Sequence, residues 1–283
     1  MIRKISFLLA ALFCLVNTST YAQSCCSQHG ETWQALAMNT DFRDAHLAPE
    51  PLDYTPPENA GMIKFETQQA GAQGMAYYIP SDQPTTKVLI IFHEWWGLND
   101  YIKKEAESWQ KALGNVDVYA VDLFDGKVAD SPALASKISS EMEPKRAEVI
   151  ISGLLRHIGN DKTIATLGWC FGGAWAFTAG VMAGNNSVGI VDYYGFPEKD
   201  EKKIKPLQSD VLYIYGTKDK FITQNLVGDM QKQVETTGHK FTVQSFDAVH
   251  AFANPSNPQH DALAAKQAEQ LARKFLMDKL QLN

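Results

Sequence analysis

Cysteine is scarce: Cys14, Cys25, Cys26 and Cys170 are the four in 283 residues. That is too few for a disulfide framework, and no CxxC pair points to a structural zinc site. A basic surplus is also absent. Lys and Arg total 26 against 32 Asp and Glu, a net charge of −6, so no nucleic-acid partner is expected. Past the N-terminus no apolar run reaches about 18 residues, so no membrane span is expected in the processed chain. No internal repeat occurs. What is there is an ordinary globular balance, 45% hydrophobic, 20% charged and 11% aromatic, which excludes low-complexity and disordered classes.

Residues 1–22 begin with Arg3 and Lys4, continue through an apolar stretch at 5–16, and end on small and polar residues at Ala22. That order predicts a signal peptide and a secreted or periplasmic protein. Lipid anchoring at Cys25 is weakly supported, because Ala22-Gln23-Ser24 departs from the Leu-led sequence such processing requires. Cys25 and Cys26 could pair with each other, pair with another chain, or sit in a tail. Residues 23–60 carry His46, Pro49, Pro51, Pro56 and Pro57 without sustained periodicity, and read as an extended N-terminal arm or linker. Residues 61–283 read as one domain.

Within that domain β-rich runs fall at 62–67, 75–79, 87–92, 116–121, 163–167, 188–194, 211–215 and 241–246. Those at 87–92, 116–121 and 211–215 are almost continuously apolar, as strands covered on both faces are. Helix-like segments at 101–113, 131–142, 145–158, 173–183, 223–237 and 259–279 separate most of them. Alternation of this kind predicts an α/β fold, a mostly parallel sheet with helices on both faces. In such sheets function gathers beyond the carboxyl ends of the strands. The reactive residues just after a predicted strand are His93, Glu94, Asp122, Cys170, Asp219 and His250. His29 and His46 fall in the arm, His157 inside a helix, His239 at the opposite edge and His260 at the last helix.

The strongest local signal is Gly168-Trp169-Cys170-Phe171-Gly172-Gly173, a G-x-C-x-G turn between a strand and an apolar helix. It reads as a nucleophile elbow with Cys in place of Ser. Glycine is needed two positions either side of the nucleophile because the turn leaves no room for a Cβ. A thiol gains from a base, and His250 follows the last strand. The acid that orients it is Asp219, with Asp247 and Asp192 as the alternatives. The chain order Cys170, Asp219, His250 is the nucleophile, acid, histidine order of α/β-hydrolases. After the strand at 87–92 the loop reads His93-Glu94-Trp95-Trp96-Gly97-Leu98-Asn99. Its Trp95 amide and the Phe171 amide are the expected oxyanion donors, and Trp95 or Trp96 the expected pocket wall. Glu94 has no role in this reading beyond anchoring the loop.

Taken together these two stretches, with Gly216-Thr217-Lys218-Asp219 and His250-Ala251-Phe252, resemble the dienelactone hydrolase (carboxymethylenebutenolidase-like) family over residues 62–280. The resemblance implies an α/β-hydrolase fold, a Cys170–His250–Asp219 triad, and a role for Glu94 as the family's extra carboxylate. That group keeps the resting thiol neutral and helps activate it. The family's dienelactone-binding members hold the substrate carboxylate with two arginines. Here Asp125-Gly126-Lys127 and Asn254 occupy those positions, and a lone lysine gives no planar two-pronged clamp. Trp96, Lys127 and Asn254 are therefore the candidate substrate-binding residues, with dienelactone itself disfavoured. The expectation is a cysteine-dependent hydrolase of a small-molecule ester, thioester or lactone, without metal or organic cofactor. The rival readings are a non-catalytic scaffold of the same fold and a thiol redox protein using Cys170.

Overall fold

Strands form where the chain is continuously apolar and β-branched. In the computed structural model, which describes residues 28–282, the eight strands among those residues are β1 (Gly61–Glu66), β2 (Gln73–Ile79), β3 (Lys87–Phe92), β4 (Asp117–Asp122), β5 (Thr163–Trp169), β6 (Ser187–Tyr193), β7 (Asp210–Gly216) and β8 (Phe241–Phe246). They make one sheet in the order β1-β2-β4-β3-β5-β6-β7-β8. Its β1–β2 and β2–β4 pairings are antiparallel and the rest parallel. Every residue of β3 after Lys87, and of β5 after Thr163, is buried.

The helices are α1 (Gln28–Met38), α2 (Thr40–Asp44), α3 (Asp100–Leu113), α4 (Pro132–Glu141), α5 (Pro144–Ile158), α6 (Phe171–Ala183), α7 (Glu201–Ile204), α8 (Gln224–Glu235) and α9 (Ala262–Leu280). Side-chain caps set their starts: Asn99 accepts from the Ile102 amide, Ser131 from Leu134, and Asp261 from Leu263 and Ala264. Helices lie on both faces. A Cβ at Gly189 on β6 would strike Phe275 and Lys279 of α9. A Cβ at Gly180 of α6 would strike the next residue of β6, Ile190. Successive strand residues point to opposite faces, so α6 and α9 sandwich the sheet.

All eight expected strands are present. Two helix starts differ. α6 begins at Phe171, directly after the elbow cysteine, and α9 begins at Ala262, where Asp261 supplies the cap. The larger difference is the arm. It is not extended throughout: α1 and α2 fold back over the domain, with Trp33, Ala37, Phe42 and His46 buried. Gln34 donates to the Ser140 carbonyl (2.9 Å) and Ser136 to the Ala37 carbonyl (2.6 Å), tying α1 to α4. The expected signal peptide 1–22 and Cys25 and Cys26 lie outside the described residues.

Candidate active site

The elbow is built by close approach of backbones. Cys170 adopts φ 52°, ψ −116°, in the left-handed range that a side chain seldom takes. Its amide donates to the Tyr193 carbonyl at 2.9 Å, which fixes the turn to β6. A Cβ on Gly168 would lie 2.1 Å from the Gly172 carbonyl oxygen, and one on Gly172 would lie 2.3 Å from the Phe92 oxygen. Only glycine fits at either position. The resulting corner holds the thiol at the first turn of α6, where the Phe171 amide favours the thiolate. Burial and the nearby Glu94 carboxyl act the other way and push the thiol well above its usual range.

Asp219 and His250 reach the same rim from the ends of β7 and β8. The turn after β7 packs against that after β8 so closely that a Cβ on Gly216 would lie 2.2 Å from the Ala248 oxygen. The Phe221 and Ile222 amides donate to Asp219 Oδ1 at 2.8 and 2.9 Å. His250 Nδ1 donates to Asp219 Oδ2 at 2.6 Å, and its Nε2 lies 3.3 Å from Cys170 Sγ. Burial alone would raise the Asp219 carboxyl; His250 and the two amides outweigh it and hold it below the usual carboxylate range. With Nδ1 committed as donor, Nε2 carries the lone pair that faces the thiol.

The alternatives to Asp219 are placed otherwise. Asp247 is exposed and pairs with Lys218. Asp192 is fully buried beneath the elbow, accepts from the Gly195 amide at 2.8 Å, and is pushed up to about 8 by burial.

Glu94 is buried, and burial pushes its carboxyl up to about 8 against the opposing effect of a hydrogen bond from Asn254. That bond occupies Oε2, while Oε1 is buried with no hydrogen-bond partner. Thus Glu94 and Cys170 interact through their charges, while the thiol's hydrogen-bond neighbour is His250. His93 braces the same loop: Nδ1 donates to the Glu94 carbonyl at 2.6 Å, and Nε2 accepts from the Leu123 amide at 3.1 Å. Trp95 is wholly buried against Trp96 and Phe42, and Phe171 packs on Trp33 and Phe124.

Of the expected substrate-binding residues, Trp96 and Asn254 join Glu94, Trp169, Ala253 and Pro255 around one small pocket. Lys127 does not join them. Asp122 accepts from the Phe124 and Gly126 amides, Gly126 turns at φ 85°, and Lys127 emerges exposed on an open groove beside Arg146.

His46 is the residue that the sequence pattern did not single out. The ring packs against Phe42, Trp95 and His250, with the His250 centroid 5.4 Å away. Desolvation first, and then His250, lower it to about 3, so it is neutral. His46, Cys170 and His250 bring three ligand-type atoms within 4.8 Å of one another. The signal that could have found it is the Asn39 cap, whose side chain accepts from the Phe42 amide and starts the turn that leads to His46.

Comparison with known proteins adds the following. Residues 75–280 match the Dienelactone hydrolase family. A protein of Aquifex aeolicus (strain VF5) named "Putative carboxymethylenebutenolidase" is 27% identical over 225 residues, spanning 76% of this chain and 96% of its own length. A dienelactone hydrolase-like promiscuous phosphotriesterase from metagenomic libraries superposes with a TM-score of 0.65 at 21% identity, covering 78% of this chain and 99% of its own. The dienelactone hydrolase of Anabaena variabilis superposes with a TM-score of 0.56 at 16% identity, covering 80% of this chain and all (100%) of its own. The two structural likenesses speak to the α/β-hydrolase fold.

Proposed function

The chain belongs to the dienelactone hydrolase family and is a carboxylic ester hydrolase; on that premise we propose that it acts through Cys170 as nucleophile, with His250 as base and Asp219 as its orienting acid. The observation that carries this reading is the relay of distances, 3.3 Å from Cys170 Sγ to His250 Nε2 and 2.6 Å from His250 Nδ1 to Asp219 Oδ2.

In this mechanism the thiol proton passes to His250 Nε2 as sulfur attacks the carbonyl carbon of an ester, thioester or lactone. The Phe171 amide, and with it the Trp95 amide, stabilise the oxyanion. His250 returns the proton to the departing oxygen or sulfur, leaving a thioester on Cys170. Water then gives its proton to the same Nε2 as it attacks the thioester; the C–S bond breaks, the acid leaves, and Nε2 returns the proton to the Cys170 sulfur. Asp219 stabilises the imidazolium in each half of the cycle. Glu94, held by Asn254, tunes how much thiolate exists before substrate binds.

The pocket bordered by Trp96, Trp169 and Asn254 has two carboxyls, Glu94 and Glu105, and no cation among its lining residues. With no cation to pair a substrate carboxylate in this pocket beside Glu94, the reading is a neutral acyl group rather than a carboxylate-bearing one. The reading extends to an exported enzyme, because residues 1–22 have the order of a signal peptide.

The test is to assay purified protein and its Cys170→Ala variant on short-chain aryl esters and enol lactones. Hydrolysis should fall at least ~100-fold in the variant, as expected on removing a nucleophile. A neutral ester should turn over at least as fast as its carboxylate-bearing analogue. Equal rates for the two proteins reject the proposal and return the scaffold reading.

A further inference from the structure

A buried imidazole that the hydrolytic mechanism does not use points into the site. His46 Nδ1 donates to the Phe42 carbonyl at 2.6 Å, which leaves Nε2 as a bare lone pair. That Nε2 is buried and has no hydrogen-bond partner. His46 itself is only 4% exposed. An unpaired nitrogen held this way in a dry site is costly, and its ring lies beside the His250 ring, with centroids 5.4 Å apart.

We propose that His46, Cys170 and His250 form a binding site for a thiophilic divalent cation of the Zn2+ class. The three atoms that would ligate it lie within 4.8 Å of one another. Tetrahedral zinc needs them roughly 3.3–3.6 Å apart, given Zn–N and Zn–S bonds of about 2.0–2.3 Å. The Cys170–His250 pair already stands at 3.3 Å, so the adjustment falls on His46. One thiolate and two imidazoles are a donor set that suits this ion.

The outer contacts match as well. A ligating histidine donates its other ring N–H to a carbonyl or carboxylate, which fixes the tautomer and aims the lone pair. His46 does so to the Phe42 carbonyl, and His250 does so to Asp219. Both rings are therefore set with Nε2 as the free ligand atom. Binding forms the Zn–S bond and releases the thiol proton to solvent, one per ion. The ion takes the same sulfur and the same His250 lone pair that hydrolysis needs. Loading therefore silences the nucleophile reversibly. That consequence rests on the proposed hydrolase reading; the binding itself does not.

The test uses the full chain carrying Cys14→Ser, Cys25→Ser and Cys26→Ser, so that those thiols do not compete. Reduced protein is titrated with Zn2+ against a chromophoric chelator, with proton release followed in weak buffer. One ion per chain and one proton per ion are expected. His46→Phe keeps an aromatic ring against Trp95 and removes the lone pair. It should weaken Zn2+ at least ~100-fold, more than the ~10–100-fold that loss of an outer-shell partner costs. Substitution with Co2+ should give a thiolate-to-metal charge-transfer band that vanishes in Cys170→Ser, a readout independent of ester hydrolysis and of how His46→Phe folds. Ester hydrolysis should fall with Zn2+ occupancy and return with chelator. Zn2+ that binds His46→Phe as tightly as the parent, or a cobalt spectrum without the sulfur band, overturns the site while leaving the triad standing. Loss of hydrolysis in Cys170→Ala has no bearing on it.

Discussion

At the scale of single residues the thiol is set by two opposed neighbours. The Phe171 amide favours the thiolate, while burial and Glu94 disfavour it. Burial raises Glu94 to about 8 and lifts Cys170 well above the usual thiol range, so Glu94 carries its charge before the thiol ionises. Each proton lost from Glu94 therefore makes the next one harder to remove from Cys170. Glu94→Gln keeps an oxygen to accept from Asn254 and removes the charge. The midpoint of Cys170 alkylation against pH should fall by about one unit, the size of a close like-charge effect. The rate of modification, followed across pH at the Cys170 peptide by mass spectrometry, reads this directly. An unchanged or raised midpoint removes Glu94 from the account of the thiol.

At the scale of elements, two local structures hold the site, and they differ in how openly the sequence declares them. The elbow declares itself. Glycines two places either side of Cys170 have one physical use there, and a Cβ at Gly172 would sit 2.4 Å from the His93 oxygen as well as against Phe92. Gly172→Ala should therefore destabilise by about 3 kcal/mol or more, the upper end for overpacking. Denaturant titration checks it, and a loss under ~1 kcal/mol would mean that β3 and α6 can separate after all. The same openness holds for β3, β4 and β7, whose double-sided burial writes itself as nearly unbroken apolar runs. It holds for Asp219 and His250, which follow predicted strands and so had to reach one edge. It fails for α1 and α2. Helices this short are not stable alone, and their order comes from what they pack on, which a local pattern does not record. Trp33 and Phe42 belong to no sustained periodicity, and their burial depends on Phe171, Trp95 and Phe221, which come from distant parts of the chain. His46 was illegible for the same reason, and Lys127 lies apart from Trp96 and Asn254, with Gly126 turning the chain just before it.

The arm also bears on access. Cys170 is 2% exposed, and α2 lies over His250 through Phe42, whose ring is 5.6 Å from the imidazole and 5.1 Å from Trp95. Removing that ring costs about 3–5 kcal/mol of packing, and the loss falls on the docked arm rather than on the sheet. Phe42→Ala should raise the labelling rate of Cys170 by a bulky maleimide at least ~10-fold, a small part of that energy. Counting the Cys170 peptide alone keeps Cys25 and Cys26 out of the measurement. An unchanged rate would mean that reagents reach the sulfur by a path the arm does not cover.

For the molecule as a whole, burying titratable groups at the sheet's rim makes stability depend on pH in a particular sense. Glu94 and Asp192 are both held up at about 8, so the folded chain keeps two protons that the unfolded chain loses above about pH 4. Stability from this source falls as pH rises, and the fall ends only once pH passes the folded values. His46, lowered to about 3, and His93, lowered by burial, act in the opposite sense. Unfolded histidine binds a proton below about pH 6.5 and these folded ones resist it, so their part is lost as pH falls through that point. Below about pH 6.5 the pairs oppose each other; above it only the carboxyls change. From about pH 6.5 to pH 8 the fold should therefore lose roughly 2–3 kcal/mol, seen as a fall of several degrees in Tm. Glu94→Gln with Asp192→Asn leaves Glu105, which burial raises to about 7, as the buried carboxyl still losing a proton over that interval, so its Tm should fall by less than half as much. The contrast separates these two carboxyls from every other titrating group in the chain, because a parallel fall in the double variant would assign the pH dependence elsewhere.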